Sequence, residues 1–318
     1  MTFGRQCDEA ASFQILNEAE AAGINFIDTA DVYPVPVSTD TSGRTEEIIG
    51  RWFAGRDSAG GKRDRFVLAT KCRMQMGPGA NDSGLSRRHV LAAIEASLKR
   101  LQTDYVDLYQ VHSPDPETPI EETLRALDTI VQSGKARYIG CSNFQAWQLA
   151  LALNTSARLN GARFESVQPR YNLLYREIEN ELVPLCLDQL VGIMVYNPLA
   201  GGMLTGKHDR NSPPASNTRF AVAGPMYRGR YWNDHVFDAV DRLKSFFAER
   251  NKPLTHAAIS WTLGRPGITS AIIGATSADQ LRDSLAGVSL QLDDDELEEC
   301  DRVWYELPRV RNPKIALR

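Results

Sequence analysis

The feature that most constrains this chain is an alternation repeated about seven times: a short apolar run, then a stretch with helical periodicity, then another apolar run. The runs are Ile24–Ile27, Phe66–Thr70, Tyr105–Val111, Ala136–Cys141, Ser166–Val167, Gly192–Val195 and Ile268–Ile273. Strands separated by helices in this way predict a parallel sheet with helical crossovers. No change of composition marks a linker, so residues 1–318 are expected to form one domain. An open dinucleotide-binding sheet should carry GxGxxG after its first strand, and no such motif follows any run here. The pattern therefore predicts a (β/α)8 barrel.

Helices are expected over Asp8–Ala22, from Thr45 as a cap, from Ser86 to about Leu101, and over Pro119–Gln132 and Gln145–Leu153. Others are expected near Glu177–Gln189, at about Asp234–Arg250 and Leu254–Leu263, after Thr276, and from about Asp293 into a C-terminal tail (293–318). The acidic run Asp293–Glu296 suits the first turn of that last helix. Residues 198–233, rich in Gly, Pro and Asn, are expected to be a long irregular loop, a functional lid.

Composition narrows the classes of function. With 42% hydrophobic and 24% charged residues and a net charge of −4, the chain has no basic footprint for nucleic acid. No apolar stretch approaches the ~20 residues that cross a bilayer, and the first residues contain no signal-peptide core. Five scattered cysteines without CxxC or Cys/His spacing predict reduced thiols, no metal site and a cytoplasmic protein. The oligomeric state is left open.

In such barrels chemistry sits at the C-terminal ends of the strands. Here those ends carry Asp28, Lys71, His112, Ser142-Asn143, Gln168, Tyr196 and Gly274, with Tyr33 in the loop after Asp28. Each has an ordinary reading taken singly: Lys71 as a surface charge, His112 as a satisfied histidine, Tyr33 as a loop aromatic. Together, at one mouth, they form a set suited to acid–base chemistry and amide recognition.

The stretches INFIDTADVY, VLATK, DYVDLYQVH, YIGCSNF, SVQPRYNLL, YNPLAGGMLTGK and AIIGATSADQL resemble the aldo-keto reductase superfamily, in order along the chain. Within it, Tyr33–Pro36 is similar to the Tas-like bacterial oxidoreductases. The resemblance implies a catalytic tetrad of Asp28, Tyr33, Lys71 and His112. It also implies NAD(P)H-dependent reduction of a small-molecule aldehyde or ketone to an alcohol. A phenol with a pKa of about 10 needs tuning to donate a proton at neutral pH, and Lys71 steadied by Asp28 is expected to supply it. His112 is expected to hold the substrate oxygen.

By the same resemblance Ser142, Asn143 and Gln168 hold the nicotinamide carboxamide and Tyr196 stacks on the ring. Asn197 stands where the family usually has Ser. Leu199, Gly201, Leu204 and Lys207 match the loop over the pyrophosphate. Gly274, Thr276 and Gln280 match the adenosine-phosphate site at a helix start. Two departures stand out. Thr276 replaces the Arg with which many relatives grip the 2′-phosphate, so NADP(H) is expected but NAD(H) stays open, with Arg282 or Lys207 as substitutes. Relatives also carry a first strand ahead of Met1-Thr2-Phe3-Gly4, so that strand is expected to be truncated, or Met1 to be a start assigned too late. The substrate pocket is expected among Tyr33, residues 73–84, Met226, Tyr227, Tyr231, Trp232 and the tail near Trp304 and Tyr305. Two rival readings stay open: a regulatory cofactor-binding module similar to potassium-channel β subunits, and an unrelated phosphate-binding barrel.

Overall fold

Seven strands in the computed structural model, which describes residues 1–55, 63–216 and 218–309, pair in parallel and in sequence order. They are β1 (Phe26–Asp28), β2 (Val67–Cys72), β3 (Val106–Val111), β4 (Ala136–Ser142), β5 (Phe164–Gln168), β6 (Gly192–Tyr196) and β7 (Ile268–Ile272). The helices are α1 (Glu9–Ala21), α2 (Arg44–Ala54), α3 (Arg87–Leu101), α4 (Ile120–Gln132), α5 (Ala146–Leu159) and α6 (Leu182–Gln189). They continue as α7 (Arg219–Val222), α8 (Gly224–Tyr231), α9 (Asp234–Glu249), α10 (Leu254–Leu263), α11 (Ala278–Ala286) and α12 (Asp294–Glu306).

The sheet curls into a nearly closed barrel. A side-chain bond from β5 to β1, Gln168 Nε2 to Asp28 Oδ1 at 2.9 Å, spans strands four places apart and requires that curvature. Among the described residues no pairing joins β7 to β1. The N-terminal turn bridges that position at the mouth. Thr2 Oγ1 donates to Ala275 O (3.1 Å) just beyond β7, and Thr45 Oγ1 to Phe3 O (2.9 Å). The Val35 N–H reaches Met1 O (3.1 Å) beyond β1. This is the (β/α)8 architecture with seven strands formed, and the expected first strand has no counterpart among them.

Pleating sorts the side chains, because residues two apart share a face. Phe26, Ala69, Leu108, Met194 and Ile272 cluster inside the barrel. Two residues further along their strands come Asp28, Lys71, Gln110 and Tyr196, so the interior turns from apolar to polar within one repeat. Gly140 permits β4 and β5 to approach: a Cβ there would lie 2.5 Å from Ser166 Oγ.

Outside, amphipathic helices bury one stripe. In α4 Leu124, Leu127 and Ile130 recur on the sheet side. Ser86 Oγ accepts from His89 N–H to start α3, and a capping box of Asp293 and Glu296 starts α12, as the acidic run implied.

Several boundaries differ from expectation. Thr45 lies inside the first turn of α2, and Gly43 is the residue that precedes it. Its hydroxyl is spent on Phe3 instead of on a cap. The expected helix near Glu177–Gln189 divides into a 3-10 turn, Glu177–Glu179, and α6. Starting at Leu182 keeps Pro184 in the first turn, where its missing N–H leaves no helical bond unmade. Residues 198–233 are not one irregular loop. They contain a 3-10 segment (Ala200–Thr205), α7 and α8, because Phe220, Tyr227 and Tyr231 are buried against the main core. The expected tail beyond residue 309 lies outside the described residues.

Candidate functional site

The polar layer closes around Asp28. Lys71 Nζ lies 2.5 Å from Asp28 Oδ2 and donates to Thr29 O at 2.9 Å. Asp28 Oδ1 accepts from Gln110 Nε2 (3.0 Å) and from Gln168 Nε2 (2.9 Å). Lys71 is 0% and Asp28 6% exposed in their side chains. A pair so buried is tolerable only because these further hydrogen bonds satisfy it.

Above this pair sits Tyr33, delivered by the turn after β1. Its hydroxyl is 3.5 Å from His112 Nε2, and the two rings meet edge-on at 5.6 Å. Lys71 Nζ stands 5.4 Å from the Tyr33 ring centre. Burial, then the Asp28 carboxylate, push the Tyr33 phenol well above its usual range. Lys71 was expected to pull it down. The physical reason it does not is burial: the loss of water around the phenol disfavours the phenolate more than the nearby ammonium favours it. Burial, then Lys71 and Arg73, hold His112 down at about 3, so the imidazole is neutral across the working range.

The remaining strand ends form a hydrogen-bonded rim. Ser142 Oγ donates to Gln168 O (2.8 Å), and Asn143 Nδ2 donates to His112 O (2.9 Å). Tyr196 Oη donates to Asn143 Oδ1 at 2.8 Å. These groups converge on the side of the mouth next to Tyr33 and His112, as the strand order requires.

Other expected cofactor residues are placed less uniformly. The Asn197 amide is occupied: Oδ1 accepts from Gly201 N–H (2.6 Å) and Nδ2 donates to Tyr231 Oη (3.1 Å). It therefore holds the turn into the 3-10 segment. Gly201 has φ +71, and a Cβ there would lie 2.6 Å from the Tyr227 ring, so glycine keeps that turn thin. Leu204 is fully buried in the core, whereas Leu199 is half-buried and Lys207 exposed. Gly274 is exposed, and Gln280 Oε1 accepts from both Thr276 N–H and Thr276 Oγ1 at 2.9 Å. The aromatics of 226–232 mostly pack: Trp232 meets Phe220 and Phe237, and Tyr227 and Tyr231 are buried. Trp304 is buried in α12.

Four further residues belong to this region, of which only Arg73 fell within the expected pocket (residues 73–84). Gln110 completes the Asp28 layer; its signal was its even spacing from Leu108 and His112. Arg73 follows β2 with φ 136, and its Nε donates to Pro114 O at 3.0 Å beside His112. Arg219 in α7 has a buried Nη1 without a hydrogen-bond partner. Arg5 lines a cavity of about 620 Å³ with Gln6, Ser216, Ala221, Val222 and Thr276. Behind the site, Asp31 is wholly buried with neither carboxyl oxygen bonded, and burial followed by Glu46 raises its pKa well above the carboxylate range. Among the described residues no cluster suits a metal ion.

Comparison with known proteins adds to this geometry. The model of the aldo/keto reductase family matches residues 1–305. A probable voltage-gated potassium channel subunit beta of Arabidopsis thaliana is 38% identical, over 91% of this chain and 85% of that protein. Protein tas of Escherichia coli is 33% identical over 95% and 92%. Versiconal hemiacetal acetate reductase of Aspergillus parasiticus is 32% identical over 96% and 90%.

Proposed function

Since the chain belongs to the aldo/keto reductase family, we propose that it is an NADP(H)-dependent oxidoreductase that reduces an aldehyde or ketone to an alcohol. The observation that carries this reading is the convergence of a protonated Tyr33 phenol and a neutral His112 over the buried Lys71–Asp28 pair.

The residues suit a dinucleotide. Tyr196 offers an aromatic face beside the amide and hydroxyl groups of Asn143 and Ser142. Arg219 Nη1 is a buried donor without a partner, in the segment that packs over the Gly201 turn. These residues would hold the dinucleotide, which in its reduced form would supply the hydride for the carbonyl carbon.

The chain's own groups handle the proton. Tyr33 Oη donates to the carbonyl oxygen as charge develops on it, and His112 steadies the same oxygen through Nε2–H in that tautomer. Once Tyr33 has given up its proton, the nearby Lys71 ammonium favours the phenolate, with Asp28 and Thr29 O keeping the ammonium in place. Gln110 and Gln168 hold the carboxylate that holds the lysine.

The five cysteines are free and buried, and no helix among the described residues is long and apolar enough to cross a membrane. A cytoplasmic location is part of the proposal. The test is oxidation of NADPH and NADH against a panel of aldehydes, ketosugars and ring ketones. Turnover with at least one carbonyl class is the expected result.

A second reading rests on the potassium-channel subunit relative: a regulatory module that binds the nucleotide without turning it over. Stoichiometric NADPH binding with no turnover across the panel would favour it. Membership of the aldo/keto reductase family removes the third expectation, an unrelated phosphate-binding barrel.

A further inference from the structure

The Thr276 position leaves the nucleotide's adenosine end without an obvious cation. Arg282 does not supply one: its guanidinium is shared between Glu18, at 2.7 Å, and Asp279. Lys207 is exposed and does not line the cavity beside Thr276. Thr276 is also spent. Its backbone N–H and its hydroxyl both point to Gln280 Oε1, so the side chain has no hydrogen left for an anion.

Arg5 lines the same cavity as Thr276. The cavity of about 620 Å³ is lined by Arg5, Gln6, Ser216, Ala221, Val222 and Thr276, and none of these is acidic. Its size lies within the ~300–1,000 Å³ usual for a ligand pocket. The turn that carries Arg5 is tightly held, with Gln6 and Cys7 N–H groups both donating to Thr2 O (3.0 and 3.1 Å). Thr2 Oγ1 and Cys7 Sγ tie that turn to the carbonyls of Ala275 and Thr276. Arg5 is thus anchored to the same segment that leads into α11. Among the described residues its guanidinium donates to Pro36 O, at 3.2 Å, through Nη1, and its remaining N–H groups are open to a ligand of the cavity that Arg5 lines.

We propose that Arg5 binds the 2′-phosphate of NADP(H) and sets the preference for it over NAD(H), doing from the N-terminal turn what Thr276 cannot. This deepens the cofactor reading above and rests on it. A guanidinium and a phosphate make a charge-assisted, bidentate contact that a ribose hydroxyl cannot replace.

The test is binding, not turnover. Dissociation constants for NADPH and NADH are measured by quenching of protein fluorescence for the native chain, Arg5→Gln and Arg5→Lys. The native chain is expected to bind NADPH about tenfold or more tightly than NADH, and Arg5→Gln to lose about that factor for NADPH alone. Arg5→Lys should recover part of the loss. Unchanged NADH binding also shows that the Arg5→Gln variant is folded. A native preference for NADH overturns the assignment, as does a variant that weakens both nucleotides equally or neither. If neither nucleotide binds the native chain, the cofactor reading itself fails, which is a different outcome.

Discussion

Gln110 Nε2 donates to Asp28 Oδ1 at 3.0 Å from the middle of the barrel. Both side chains are buried, so the bond cannot be exchanged for one to bulk water. Gln110→Leu keeps the volume but removes a donor from a buried carboxylate. Unfolding free energy from urea titration is expected to fall by about 1–3 kcal/mol.

The Lys71–Asp28 pair should be strongly coupled. Lys71→Met leaves the carboxylate facing an apolar side chain and is expected to cost about 3–5 kcal/mol. Adding Asp28→Asn removes the stranded charge, so the double variant should be more stable than the two single losses added together. Equal, additive losses in the same denaturation series would show that the pair is not coupled.

His112 makes stability depend on pH in a known direction. Its folded pKa is lowered to about 3 from 6.5, so below 6.5 the unfolded chain binds a proton that the native chain does not. Its contribution is complete above pH 6.5 and is lost as pH falls toward 3. The stability of the native chain minus that of His112→Phe should therefore decline over that window, by at most about 1.4 kcal/mol per pH unit.

Asp31 has the opposite sign. Its raised pKa means that above 3.8 the native state keeps a proton the unfolded chain has released, so stability falls as pH rises through the window. Asp31→Asn removes that penalty. The variant should gain on the native chain from pH 4 to pH 8 in parallel thermal melts, by roughly 1 kcal/mol or more.

How far the sequence revealed this architecture depended on the kind of signal. Asp28, Lys71, His112 and Gln168 were visible because each interrupts an apolar run at a strand end, and the barrel places strand ends together. Gln110 was hidden inside its run; only the two-residue periodicity of β3 marks it as facing inward. Residues 198–233 looked irregular because Gly and Pro recur through them, although the spacing of Phe220, Tyr227 and Tyr231, seven and then four residues apart, carries a helical period. Arg5 could not be recognised at all from its neighbours. It reaches the Thr276 region through the bonds of Thr2 and Cys7, which connect residues some 270 positions apart. The direction of the Tyr33 shift was also out of reach, since it depends first on how deeply the fold buries the phenol.

The central claim is that Tyr33 is the proton donor of a carbonyl reductase, and Tyr33→Phe tests it most directly. The variant keeps the ring against His112 and removes only the hydroxyl. Paired assays should show NADPH binding unchanged, with carbonyl reduction lowered by about 10²–10⁴-fold for whichever substrate class the native chain turns over. Native-level reduction by Tyr33→Phe would contradict the account.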